Sequence, residues 1–146
     1  MAELLGSFDP SKVICTIGPV VISGWSDGDF LTATRDEDLY FKRVGADGGV
    51  SRARNSNKSG TIEVRTLSTS GANDLITALF ALDNLSEDGK VVVPMAIADL
   101  SGRTLVAASQ GWLRTLPPAV FSKEPSECVW VFDCADMSMF IGGNPV

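Results

Sequence analysis

The chain has 146 residues, 45% of them hydrophobic, with a mean hydropathy of +0.16 and a net charge of −6. That apolar content suffices for one core of ordinary size and argues against disorder, while the acidity counts against a surface that neutralises nucleic-acid phosphates. The absence of histidine removes the commonest general base near neutral pH, the commonest metal ligand and every Ser-His or Cys-His nucleophile pair.

The N-terminus lacks a basic segment followed by a long apolar one, and no run of eighteen apolar residues follows, so neither export nor a membrane span is expected. Residues 1–10 read as an extended arm ending near Pro10. Lys12 to Ile17 and Val20 to Ser23 are apolar, β-branched runs split by Gly18-Pro19, the pattern of a first hairpin. Asp27-Gly28-Asp29 punctuates the chain before a third strand, Phe30 to Arg35. The acidic cluster Asp36-Glu37-Asp38 follows, then Leu39 to Val44, which returns through Gly48-Gly49 into Val50 to Arg54.

Thr61 to Leu67 alternates, with Ile62 and Val64 on one face and Glu63 and Arg65 on the other, as a strand with one wet side does. Ser70 fits a helix N-cap with Asp74 at the positive end of the helix dipole. Leu75, Ile76, Leu79 and Leu82 recur at helical spacing up to Asp83-Asn84 and predict an apolar stripe packed on the sheet. Ser86-Glu87-Asp88-Gly89 reads as a turn. Val91 to Ala98 pairs with Thr104 to Ala108, with Pro94 expected where no ladder donor is needed. Trp112 to Leu116 ends at Pro117-Pro118, and Cys128 to Phe132 makes a last strong strand. Short strands at regular spacing with one helix predict a mainly β fold, a sandwich or partly closed barrel with a flanking helix, in one domain over 1–146.

Cys15, Cys128 and Cys134 are odd in number and lack CxxC spacing, so they read as reduced, mostly buried thiols. Asp27-Gly28-Asp29 and Asp36-Glu37-Asp38 lack the loop spacing of a calcium site, and they read as turn-forming and solubilising. Gly45 to Gly49 is not a phosphate loop, because no Gly-Lys-Ser/Thr ending precedes a helix. Trp25, Trp112 and Trp130 read as core or subunit-contact anchors. No catalytic residue, metal or cofactor is expected.

The stretch from Arg35 to Arg65 stands apart. It holds seven of the twelve basic residues and five of the eighteen acids, so it carries +2 while the remainder carries −8. A basic hairpin, about residues 35–60, thus projects from an acidic body, an arrangement that steers and orients docking on an identical copy. Gly48 and Gly49 are expected to supply the positive φ values of a tight tip, and Arg52 and Arg54 to donate charge-assisted hydrogen bonds to carboxylates of a neighbour. Arg43, Asp47 and Lys58 join them as candidate contacts.

The run Asp9-Pro10-Ser11-Lys12-Val13, then Ile22-Ser23-Gly24-Trp25-Ser26-Asp27-Gly28, Arg35-Asp36-Glu37-Asp38, Lys42 to Gly48, Arg52-Ala53-Arg54-Asn55, Ser59-Gly60-Thr61 and Asn73-Asp74-Leu75 resembles the tail tube proteins of contractile-tailed bacteriophages. The resemblance covers about half the chain in order and spacing. It implies two packed antiparallel sheets with a helix alongside, and homo-hexameric rings stacked head to tail into a hollow cylinder. It further implies that the long hairpin reaches the next ring, that inner strands line a lumen for DNA ejection, and that sheath, baseplate and tail-terminator proteins are partners in the virion tail, assembled in the host cytoplasm. Glu63 and Arg65 are the candidate lumen-facing residues.

Simple geometry is compatible with such a ring. A compact chain of this length is equivalent to a sphere of roughly 38 Å diameter, and six touching spheres leave a hole of about the same width, wide enough for duplex DNA. A lumen lined by Asp and Glu would repel phosphates and let DNA slide. The competing readings are a baseplate or tail-completion ring, a secretion-type tube subunit, and a monomeric small β-barrel binding protein or carboxylate enzyme.

Overall fold

The computed structural model describes residues 2–85, 89 and 91–145. Ser86, Glu87 and Asp88 of the expected turn lie outside the described residues. Ten strands and one helix follow a short 3-10 turn at Pro10–Lys12: β1 Val13–Ile17, β2 Val20–Val21, β3 Leu31–Arg35, β4 Tyr40–Val44, β5 Val50–Arg54, β6 Gly60–Leu67, α1 Ala72–Leu85, β7 Val93–Asp99, β8 Leu105–Thr115, β9 Glu127–Cys134 and β10 Ser138–Phe140. An antiparallel eight-stranded sheet has the order β2-β1-β7-β8-β9-β6-β3, with β10 attached to β8, and β4-β5 form a separate two-stranded sheet.

The mainly β expectation with two antiparallel sheets and one helix is met, without a closed barrel. Alternation builds the core. Ile62, Val64 and Thr66 of β6 are buried, and so are Trp130, Phe132 and Cys134 of the paired β9, where Phe132 faces Ile62 and Trp130 faces Val64 across the ladder. Cys15 and Ile17 of β1, Met95 and Ile97 of β7, and Val106 and Ala108 of β8 complete the same inner face. Burial pushes the Cys15 thiol up to about 12 and Cys134 to about 11, so both stay protonated and unreactive.

The helix packs on this core through Ala72, Ile76 and Phe80, with Leu79 half-buried; the Phe80 and Phe132 rings lie 5.8 Å apart. The expected stripe is therefore corrected. Leu75 and Leu82 are exposed, because a helix carrying apolar residues nearly all round leaves the choice of face to the sheet it meets. Asn73 braces the junction, accepting from Thr66 Oγ1 at 2.6 Å and Trp130 Nε1 at 3.1 Å and donating to the Leu67 carbonyl at 3.0 Å. As expected of an N-cap, the Ser70 hydroxyl accepts from the Ala72 amide.

The runs expected as two segments, 104–108 and 112–116, are one strand, β8, which pairs with β7 and β10 in its first part and β9 in its second. Gly111 does not break it. A Cβ there would lie 2.7 Å from Met95 Sδ, and one on Gly60 would lie 2.6 Å from Met137 Sδ. Gly60 and Gly111 both pair with Cys134, so the buried methionines fill the space left by glycines on either side of β9. Pro94 sits at the register irregularity between Val93 and Met95, where a missing donor disturbs no ladder. The strand β10 was not anticipated.

Phe132 is fully buried at the centre of the sheet. Phe132→Ala is expected to lower stability by about 3–5 kcal/mol, since the surrounding sheet cannot collapse onto the space. Chemical denaturation of the monomer measures it, and a loss below about 1 kcal/mol would contradict the packing described.

Candidate assembly surface

Every residue from 36 to 54 is exposed. The β4–β5 ribbon pairs Tyr40 with Arg54, Lys42 with Arg52 and Val44 with Val50 on one face, and Phe41 with Ala53 and Arg43 with Ser51 on the other. Val44 and Val50 remain 59% and 66% exposed at the tip, and Leu39, Tyr40 and Phe41 are uncovered as well. Such a ribbon is at best marginally stable in water. Arg52 lies over the Tyr40 ring, 4.3 Å from its centroid.

The tip is closed by hydrogen bonds from the Gly45 amide to the Gly49 carbonyl at 2.7 Å and from the Gly48 amide to the Gly45 carbonyl at 3.0 Å, with Asp47 Oδ1 accepting from the Gly49 amide. Only Gly48, at φ +88°, uses the left-handed region there, so the expectation that Gly49 shares this role is corrected. Asp47 has its carboxylate turned back onto the loop by that bond.

The root is polar and dense. Glu37 Oε2 accepts from Asn55 Nδ2 at 3.0 Å and Asn57 Nδ2 at 2.9 Å, while the two Asp36 oxygens accept from Ser59 Oγ and Thr61 Oγ1, each at 2.9 Å. Arg35 donates to the Met137 and Asn57 carbonyls, which ties the root to the body. The cluster Asp36-Glu37-Asp38 thus holds the return strand in place through Asn55, Asn57 and Ser59, a bracing role that the sequence reading did not give them. Their signal was the alternation of short polar side chains with Lys58, which lies exposed in the same segment.

Glu63 and Arg65 lie on the outward face of β6, as alternation predicts. Arg65 contacts Glu63 at 2.6 Å and Glu127 at 3.2 Å, and Arg114 of β8 pairs with Asp133 of β9 and donates to Thr61 at 3.1 Å. Hydrogen bonding and charge from Glu63 raise the Arg65 pKa, and Asp133 does the same for Arg114. Three carboxylates and two guanidiniums therefore make a mixed, internally paired face. Arg43, Asp47, Gly48, Gly49, Arg52 and Arg54 gather on the ribbon, Lys58 stands at its root, and Glu63 and Arg65 occupy the separate sheet face.

Residues 13–142 match the family described as the bacteriophage PhiTE tail tube protein. A curated relative, structural protein ORF10 of Pseudomonas phage KPP10, is 26% identical over 150 residues, covering 99% of this chain and 87% of the relative. Among solved structures, the anti-feeding prophage tube-terminating cap superposes with a TM-score of 0.62 at 12% identity, covering 96% of this chain and 95% of the other. The PVC sheath/tube terminator of an extracellular contractile injection system gives 0.61 at 16% identity, covering 92% and 97%. The PVC sheath-tube complex gives 0.61 at 14%, covering 92% and 91%. Those identities speak to fold alone, and the fold does not separate tube from terminator.

Hydrogen bonds from Asn55 and then Asn57 hold the Glu37 carboxyl below its ordinary value of 4.5. A depressed folded value means that this contribution to root stability is complete above the unfolded value and is lost as pH falls through the folded one. The 15N relaxation of residues 40–54 is expected to show loosening as pH is lowered below the ordinary carboxyl value of 4.5, and Glu37→Ala is expected to show it already at neutral pH. Order in the ribbon that is indifferent to both changes would contradict this role.

Proposed function

The chain belongs to the bacteriophage PhiTE tail tube protein family, and on that footing we propose that it is a virion building block that closes into hexameric rings and stacks them head to tail. The resulting tube would lie in a contractile tail assembled in the host cytoplasm and carry DNA during ejection. The observation that carries this reading is the β4–β5 ribbon, which presents apolar side chains on both faces and is covered by none of the described residues of its own chain. Water-exposed valines and aromatics along a tethered ribbon gain their burial from another molecule.

Charge supports a second copy as that molecule. Residues 39–54 hold Lys42, Arg43, Arg52 and Arg54 against Asp47 alone, while the chain as a whole is at −6. Contact between a ribbon and a different surface of the next copy is heterologous, so it propagates into a filament. The two ends of such a filament need closing, one by a terminator and the other by a baseplate protein, and the likeness to cap, terminator and sheath-tube structures supports the terminator and sheath proteins among these partners. The family match favours a tube subunit over a terminator, and a structural role over an enzymatic one.

Glu63 and Arg65 are assigned to the lumen. Each guanidinium on that face already meets a carboxylate of its own chain. Phosphates passing by would have to displace those partners, so transit without specific binding is the consequence.

Arg52→Glu with Arg54→Glu is expected to leave a folded protein, because both side chains are exposed, and to abolish long tubes. Electron microscopy of concentrated protein beside circular dichroism checks both parts. Tubes of unchanged length would contradict the stacking role of the ribbon.

A further inference from the structure

The large sheet is open between its terminal strand β3 and the branch strand β10. β3 terminates the strand order, β10 hangs from β8, and between them lies a groove of about 490 Å³. Phe8, Phe30, Leu31, Val106, Met139 and Ile141 give it an apolar floor and walls; Phe8 and Ile141 are 61% and 77% exposed. Asp29 and Asp99 border it, and Asp27 borders an adjoining recess that shares Phe8, Gly28 and Phe30. No lysine or arginine is among the lining residues of either. Asp99 is kept anionic by bonds from Ser101 and Asn144, which hold its carboxyl below the usual range.

We infer that this groove is the socket for the β4–β5 ribbon of the next copy, an assignment that rests on the stacking reading above and gives it a receiving surface. The chemistries match part for part. The ribbon face with Val44 and Val50 near its tip has Lys42, Arg52 and Arg54 behind them, and the groove has an apolar floor with carboxylates on its border. Each ribbon strand is five residues, about 17 Å long, enough to lie along such a groove. The ribbon does not occupy its own groove, since all of its residues are exposed. β3 contributes Leu31 and Ala33 to the groove and ends at Arg35, and past residues 36–39 the chain enters the ribbon as a separate sheet, so socket and plug lie in different elements of one chain. Each copy thus offers one plug and one socket, and a head-to-tail contact passes on from copy to copy.

The test is a pair of complementary charge reversals. One variant carries Arg52→Glu and Arg54→Glu, the other Asp27→Arg and Asp29→Arg, all at exposed positions, with folding checked by circular dichroism. Alone, each is expected to lose sedimentable polymer by at least about tenfold, because like charges then meet. Mixed in equal amounts they are expected to co-assemble, since the acidic ribbon of one fits the basic groove of the other and the reverse pairing also holds. Undiminished assembly of the groove variant, or failure of the mixture, overturns the socket while the stacking reading stands on the ribbon variant. Failure of the wild-type chain to polymerise at any concentration overturns both.

Discussion

A two-stranded ribbon has no interior. Whatever apolar side chains it carries face water on both sides unless something else covers them. In this chain the constraint is acute, because the ribbon is long, holds five large hydrophobic residues between Leu39 and Val50, and receives no cover from the body. The rest of the architecture serves to hold it out. The polar root grips both strands at their base, Arg35 anchors that root to the carbonyls of Met137 and Asn57, and the buried glycine-methionine packing at Gly60 sets the start of β6 directly beneath it.

The acidity of the body has a structural origin as well as an electrostatic effect. Asp9 caps the first turn, Asp36 and Glu37 hold the root, Asp99 braces the β7–β8 turn through Ser101 and Asn144, and Asp136 accepts from Ser109. Carboxylates used in this way are fixed in position. They give the body a steady negative surface against which a basic ribbon is oriented before contact, which favours one docking direction over others. The same economy of partners applies to the outward sheet face, where Arg65 and Arg114 are each engaged by acids of the same chain.

Much of this was legible in the sequence because the signals were local. The turn residues Gly18-Pro19 and Gly48-Gly49 marked hairpins, the alternation of Ile62, Val64 and their polar neighbours marked β6, and Pro94 marked an interruption in pairing. What was misread depended on distant partners. The helix has leucines on more than one side, and only the position of Phe132 decides that Phe80 turns inward while Leu75 and Leu82 stay out. The runs 104–108 and 112–116 were read apart with Gly111 between them, yet the Met95 side chain packed against Gly111 is sixteen residues away in sequence. The short β10 exists only because β8 offers it an edge. Of the assembly surface, the basic charge and the tip could be read directly; the Asn55 and Asn57 braces and the groove could not, since they arise where separate strands meet.

Amide hydrogen exchange, followed in dilute monomer and in concentrated protein, tests the central claim most directly. If a second copy covers the ribbon, amides of residues 40–54 exchange rapidly when dilute and become strongly protected on assembly, along with the groove segments around Phe30 and Met139. Polymer that forms while those amides go on exchanging at the monomer rate would contradict it.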